Sequence, residues 1–352
     1  MQFVRLGNSG LIVSRLAFGV MTFGVSQDPA SPTASVWKTP QDQANGLISR
    51  ALDSGINFFD TADMYANGQS EEILGKALGS HRQHVVISTK IGFRSADAIT
   101  QGGASYRYVL TATEASLRRL NTDYVDLLSI HKFDPFTPAE ETVRALENLV
   151  RRGLVRYVGY SNFTAWQAAK FMGIQQRNQY APFVAAQMYY SLVGRDLEHE
   201  VVPFCEDAGV GLVVWSPLAS GFLSGRYTRQ NPTGGGGRLA GFDILPMDKE
   251  KGYDLIEKLK LMAEQHGCTV AQIALAWLLS KSYVSSILLG ASKISQLEDN
   301  LGALEVKLSA KELKELDDFT APKALYPQWF QASLVDEITA KALAANSPPA
   351  AS

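Results

Sequence analysis

Four polar side chains, Asp60, Tyr65, Lys90 and His131, stand at or just past the ends of short apolar runs. Asp60 closes Ile56-Asn57-Phe58-Phe59, with Tyr65 in the loop beyond it. Lys90 closes Val85-Val86-Ile87-Ser88-Thr89, and His131 follows Val125-Asp126-Leu127-Leu128-Ser129-Ile130. A free phenol has a pKa of about 10 and ionises poorly near neutrality. A neighbouring ammonium stabilises phenolate, and a carboxylate keeps that ammonium charged and in place. Asp60 would thus fix Lys90, Lys90 would tune Tyr65, and Tyr65 would serve as general acid or base. His131 could donate a hydrogen bond to a substrate oxygen and stabilise negative charge developing there. Such a set suits the interconversion of a carbonyl and an alcohol, with hydride supplied by a bound cofactor.

Taken singly, each residue has a plainer reading. Lys90 could be solvated, His131 hydrogen-bonded filler, Asp60 a helix cap and Tyr65 a half-buried aromatic. Their joint placement at three successive strand ends is what points to chemistry.

The elements that must position them alternate along the chain. Apolar strand candidates lie near 15–19, 56–60, 84–89, 125–130, 154–159, 183–187, 210–214 and 285–289. Amphipathic stretches fall near 42–54, 70–79, 107–120, 138–152, 164–175, 197–208, 251–281 and 295–302. In 139–151, Val143, Leu146, Leu149 and Val150 share one helical face. Before them, Phe3–Leu6 and Leu11–Val13 flank the turn cluster Gly7-Asn8-Ser9-Gly10 and predict a β-hairpin. Repeated strand–helix units predict a parallel sheet wrapped by helices, and eight units are the number that closes a (β/α)8 barrel. The rival, an open doubly wound sheet, would carry GxGxxG after its first strand. The formal match to that pattern, Gly235-Gly236-Gly237-Arg238-Leu239-Ala240, falls late in a Gly-rich stretch and reads as a loop. Three longer irregular segments, 25–41, 226–246 and 321–331, are candidates for functional loops. The domain expected is a single unit over 1–345, with a disordered tail over 346–352.

Composition narrows the function class. Thirty-three basic and thirty-five acidic residues nearly cancel, without like-charge runs, which argues against a nucleic-acid surface. Cys205 and Cys268 lie far apart and lack metal-ligand spacing, so neither a disulfide framework nor a metal site is expected. The start of the chain has no leader pattern and no segment is apolar enough to span a bilayer, so a cytoplasmic protein without a membrane partner is expected. Oligomeric state is not encoded in any readable pattern.

The runs Phe59-Asp60-Thr61-Ala62-Asp63-Met64-Tyr65, Ser88-Thr89-Lys90, His131-Lys132-Phe133-Asp134 and Gly159-Tyr160-Ser161-Asn162-Phe163 resemble the aldo-keto reductases. The resemblance extends over about residues 1–320 and includes the hairpin and Gly19-Val20-Met21-Thr22-Phe23-Gly24. It implies a barrel closed at its base by the hairpin, binding NADP(H), in preference to NAD(H), in extended form. It implies Asp60, Tyr65, Lys90 and His131 as the catalytic set. Ser161, Asn162 and Gln187 match residues that hold the nicotinamide carboxamide, and Trp215 the aromatic ring that stacks on it. Ser216, Leu218, Ser220, Gly221 and Arg226 match the segment along the pyrophosphate, where small residues let backbone approach phosphate and Arg226 adds charge. The run opened by Gly290 matches the grip on the adenosine end, with Ser292 and Lys293 on the 2′-phosphate and Gln296 and Asn300 near adenine. Several branches of the family place Arg where this chain has Gln296.

Met21, Phe23, Phe93, Phe133 and Trp329 would line the substrate side, an aromatic wall suited to hydrophobic aldehydes or ketones. Two other readings compete. Trp215-Ser216-Pro217-Leu218-Ala219 and Gln296 also resemble the β subunits of voltage-gated potassium channels, an NADP(H)-binding regulatory module with little turnover. Those proteins typically carry Asn where this chain has His131, which favours catalysis here. A barrel lyase using Lys90 as a Schiff-base nucleophile would need a deprotonated amine, whereas Asp60 should keep Lys90 charged.

Overall fold

The computed structural model describes residues 1–26, 34–95, 97–235, 239, 243–334 and 336–344. The elements in order are β1 (Phe3–Arg5), β2 (Ile12–Ser14), β3 (Leu16–Gly19), β4 (Gly24–Val25), β5 (Lys38–Thr39), α1 (Gln41–Asp53), β6 (Phe58–Asp60), α2 (Gln69–Leu78), β7 (Val86–Ile91), α3 (Tyr106–Leu120), β8 (Val125–Ile130) and α4 (Ala139–Arg151). Then follow β9 (Val155–Ser161), α5 (Ala165–Asn178), β10 (Phe183–Tyr189), α6 (Val201–Ala208), β11 (Gly211–Trp215), α7 (Lys249–His266), α8 (Val270–Leu279), β12 (Val284–Leu289), α9 (Ile294–Leu301), α10 (Ala310–Thr320), α11 (Gln328–Ala332) and α12 (Glu337–Ala344).

Strands β3, β6, β7, β8, β9, β10, β11 and β12 pair in parallel and close into a barrel, in that order around the ring. All eight predicted strands are present, and the fold is the expected (β/α)8 barrel. Strand β7 is buried at every position, as a parallel sheet covered on both sides demands. The helices lay their apolar stripes on it. In α4, Val143, Leu146 and Leu149 are buried and Val150 is half-buried, each buried Leu contributing about 2 kcal/mol.

The hairpin β1–β2 plugs the end of the barrel where the strands begin. Leu6 and Val13 join Ala17, Phe58, Val86, Leu127, Val213 and Leu288 in a core cluster separate from the larger one under the helices. The Asn8 amide donates to Gly209 O at 2.7 Å. Gly7, at φ +56°, is required here: a Cβ would lie 2.5 Å from Gly209 O.

Some elements differ from the sequence-based expectation. The stretch 251–281 is two helices, because Gly267 takes φ +61° and ends α7, while Thr269 and Gln272 form a capping box that starts α8. Within 25–41, β4 and β5 form an antiparallel pair, and within 321–331 the helix α11 forms. Helices α10 and α12 were not anticipated. Two strands run further than read, so Lys90 is penultimate in β7 and Gln187 lies two residues before the end of β10.

Two compact units are distinguished, Met1–Thr320 and Ala321–Ser352. The tail expected at 346–352, and most of the glycine run after Gly235, lie outside the described residues. Among the described residues no helix is long and apolar enough to cross a membrane.

Candidate active site

Parallel register delivers the polar groups to one rim. Asp60, the last residue of β6, pairs with Ser88 of β7, and Lys90 lies two residues further on the same face. Lys90 in turn pairs with Ser129 of β8, two residues short of His131. The Lys90 ammonium is wholly buried, 2.6 Å from Asp60 Oδ1, and donates also to Thr61 O at 2.5 Å. Gln187 Nε2 donates to Asp60 Oδ2 at 2.9 Å, so both carboxylate oxygens are engaged.

Tyr65 is the fifth residue after Asp60, in the turn that follows β6. Ala66 and Asn67 both take left-handed backbone angles, at φ 48° and 55°, and Gly68 follows at φ 93°. Left-handed geometry costs a non-glycine residue about 1–2 kcal/mol, offset here by burial of Ala66 against Gly24, itself at φ 120°. The turn brings the Tyr65 ring to 5.1 Å from Lys90 Nζ and 5.8 Å from the His131 ring, edge to face. Burial works to deprotonate Lys90, but the charge of Asp60 and a hydrogen bond with Tyr65 outweigh it and raise its pKa. His131 is shifted the other way. Burial first, then the positive charges of Lys90 and Lys132, hold it well below the ordinary imidazole value, so it is neutral. Phe93 packs edge-on against it, ring centroids 4.6 Å apart, and its Nδ1 is buried without a partner among the described residues.

The next arc of the rim, from β9 to β12, carries the residues expected to meet a cofactor. Ser161 Oγ donates to Gln187 O at 2.7 Å. Asn162, at φ 58°, bridges the two arcs: its Nδ2 donates to His131 O at 3.1 Å, and its Oδ1 accepts from Trp215 Nε1 at 3.0 Å. Trp215 is half-buried and also leans on Tyr189, 5.2 Å away. Tyr189 was not singled out in the sequence. Its period-two spacing from Gln187, which puts both on one strand face, is the signal that could have found it.

After β11 the backbone turns tightly through Ser216, Ala219, Ser220 and Gly221, all at positive φ, with Leu218 between Ser216 and Ala219 at φ −101°, and Ser220 N donates to Ser216 Oγ at 2.9 Å. Arg226 follows, exposed. At the start of α9, Gln296 Oε1 accepts from Ser292 N at 3.0 Å, and Gln43 donates to Ser292 O. Lys293, exposed, is the N-cap of α9, and Asn300 is buried on the helix. Gly290 and Gly221 have open space where a Cβ would stand.

The substrate candidates separate. Phe93 and the half-buried Met21 lie in loops at the strand ends. Phe23 does not belong with them: it has no exposed surface and packs against Phe18 in the core, 6.0 Å away. Phe133 turns its ring to Phe163, Trp166 and Phe171, which anchors its loop on α5. Trp329 is half-exposed in the second unit, beside Tyr326 and Phe330.

The structure thus joins a closed (β/α)8 barrel to a carboxylate–ammonium–phenol–imidazole set on one rim, with small residues in left-handed turns beside it. The aldo/keto reductase family model matches residues 15–321, and the chain belongs to that family, which supports an oxidoreductase as its general class. It is 36% identical over 353 residues to the versiconal hemiacetal acetate reductase of Aspergillus parasiticus, covering 93% of this chain and 99% of that protein. To aldo-keto reductase AFTS1 of Alternaria alternata it is 36% identical, covering 90% of each. To a probable voltage-gated potassium channel subunit beta of Arabidopsis thaliana it is 38% identical over 315 residues, covering 87% of this chain and 92% of that protein.

Proposed function

We propose that the protein is an NADP(H)-dependent oxidoreductase that interconverts an aldehyde or ketone and the corresponding alcohol, with Tyr65 as proton donor and acceptor. The observation that carries this reading is the buried ammonium of Lys90, held by Asp60 and hydrogen-bonded to Tyr65, beside a neutral imidazole at His131.

A bound nicotinamide cofactor would supply the hydride. The residues present fit such a group: Trp215 offers a partly open ring fixed through Asn162, and Gly221 and Gly290 leave room for close approach of phosphate. Ser161, Asn162 and Gln187 would hold the carboxamide, Ser216, Leu218, Ser220, Gly221 and Arg226 the pyrophosphate, and Ser292, Lys293, Gln296 and Asn300 the adenosine end. The protein's own part is to bind a carbonyl oxygen between two donors. Tyr65 gives its proton to that oxygen, and Lys90 stabilises the phenolate left behind. A neutral His131 carries one N–H to donate without competing as an acid. The Asp60–Lys90 pair speaks against a Schiff-base lyase, since the amine stays charged.

A regulatory module without turnover is the second reading, and it rests on the likeness to the Arabidopsis channel subunit. Following NADPH consumption across aldehydes, ketones and sugars, with the reverse reaction on alcohols, tests both. Turnover lost in Tyr65→Phe is expected. Cofactor binding with no turnover on any substrate would favour the module.

A further inference from the structure

Beside the loop that carries Tyr65, lined in part by its Met64 and Asn67, lies a cleft of about 480 Å³ whose polar groups the reductase reading leaves unused. Arg94, Arg107, Arg118 and Arg119 stand in its wall with Trp37 and Asp63. Arg119 is committed to the buried Glu71 at 2.6 Å. Among the described residues Arg94 donates to a carbonyl, Ala98 O at 2.6 Å, and neither it nor Arg107 nor Arg118 meets a carboxylate.

The helix dipole suits Arg118 in the last turn of α3 but does not account for Arg107. Arg107 sits in the first turn of α3, where the helix dipole disfavours a cation, and no acidic residue shares that turn. Arg107, Thr111, Ala115 and Arg118 fall on one face of α3 by their spacing, all four in the cleft wall. Two further groups there are buried without a hydrogen-bond partner among the described residues: the indole N–H of Trp37 and Oδ1 of Asp63, a side chain only 5% exposed. Burial, then the charge of Glu71, raise the Asp63 carboxyl to about 7 against the opposing pull of Arg119 and the Tyr108 hydroxyl. Near neutrality the acid in this wall therefore spends much of its time uncharged. The lining is rich in donors and cations and poor in negative charge.

We propose that this cleft binds a small ligand bearing two separated oxyanion groups, phosphate or carboxylate, held between Arg94 and Arg107 at one end and Arg118 at the other. The spacing sets the class. Arg107 and Arg118 are about 16 Å apart along the helix, more than a single phosphate can bridge, and both line the cleft. Guanidinium groups suit planar, bidentate contact with such oxygens. The ligand would touch Asp63 and Asn67, the residues that flank Tyr65 on either side.

The test is titration calorimetry of the full chain with a hexose 1,6-bisphosphate, with citrate as the carboxylate arm and inorganic phosphate as the single-anion arm. The expected result is one site per chain for the bisphosphate or for citrate, with phosphate at least ten-fold weaker. Arg107→Gln and Arg118→Gln should each weaken binding ten-fold or more, at exposed positions where unchanged melting curves establish folding. Lys293→Ala should leave it intact, which separates this site from the proposed cofactor site. Absence of binding for both two-ended ligands at millimolar concentration overturns the proposal, as does binding that survives both Arg substitutions. Because binding is read directly, its failure is distinct from failure of the reductase reading.

Discussion

Lys90 Nζ lies 2.6 Å from Asp60 Oδ1 with no exposed surface on the lysine, and Gln187 from the far side of the barrel closes on the second carboxylate oxygen. Two strands that are neighbours and a third that is not thus converge on one ion pair. Removing two charges from water is costly, and the pair is tolerated because each charge is met by the other and by hydrogen bonds. Breaking it from one side is therefore the severe change. Asp60→Asn is expected to destabilise the fold by about 3–5 kcal/mol in urea unfolding, and adding Lys90→Met should restore part of that loss. A double variant no more stable than Asp60→Asn alone would mean the ammonium was not buried at a cost.

Tyr65, the proposed proton donor, is tested by removing its hydroxyl alone. With Tyr65→Phe, turnover should fall by about 100-fold or more, the usual range for loss of a general acid, while cofactor affinity stays nearly unchanged. Steady-state kinetics beside fluorescence titration of NADPH separate the two quantities. An unaltered kcat removes Tyr65 from the proton path.

The start of α9 offers a test of cofactor choice. Lys293, exposed at the N-cap, would pair with a 2′-phosphate that NADH lacks. Lys293→Ala should weaken NADPH about ten-fold or more while changing NADH little, on the scale of one lost charge-assisted contact. Equal losses for both would count against that placement.

Asp63 should make stability depend on pH in an unusual direction. Its folded value, about 7, lies above its unfolded value of 3.8, so between these the folded state holds a proton the unfolded state has lost. Stability from this group is full at low pH and is lost as pH rises towards 7. Going from pH 5 to pH 8, wild type should lose about 2–3 kcal/mol relative to Asp63→Asn. His131, neutral in the fold, acts oppositely below the ordinary histidine range, and it cancels in the comparison because both proteins carry it. Parallel stability curves would show that Asp63 is ionised in the fold at both pH values.

Much of the barrel was legible because its signals are local. Alternating apolar runs and amphipathic stretches set the strands and helices, and three successive strands carry an acid, an amine and an imidazole at or within one residue of their ends. Less was legible where two elements share one pattern. The stretch 251–281 read as continuous, although Gly267 and the Thr269–Gln272 capping box were there to divide it. Phe23 looked like a rim residue from its position after β3, and only packing against Phe18 decided that it faces the core.

By itself the sequence determined which chemical groups would be carried on which strands, because period and turn residues act over a few positions. That Lys90 stays charged was readable from its pairing with Asp60, but only the tertiary structure decided that His131 is held neutral, because burial and the nearby charges of Lys90 and Lys132 set its state. The bridge from His131 through Asn162 to Trp215 likewise exists only once the ends of β8, β9 and β11 have been brought to one rim. The arginine-lined cleft beside the loop of Tyr65 was invisible for the same reason: its walls come from segments far apart in the chain, and charge without a partner is a property of three-dimensional neighbours.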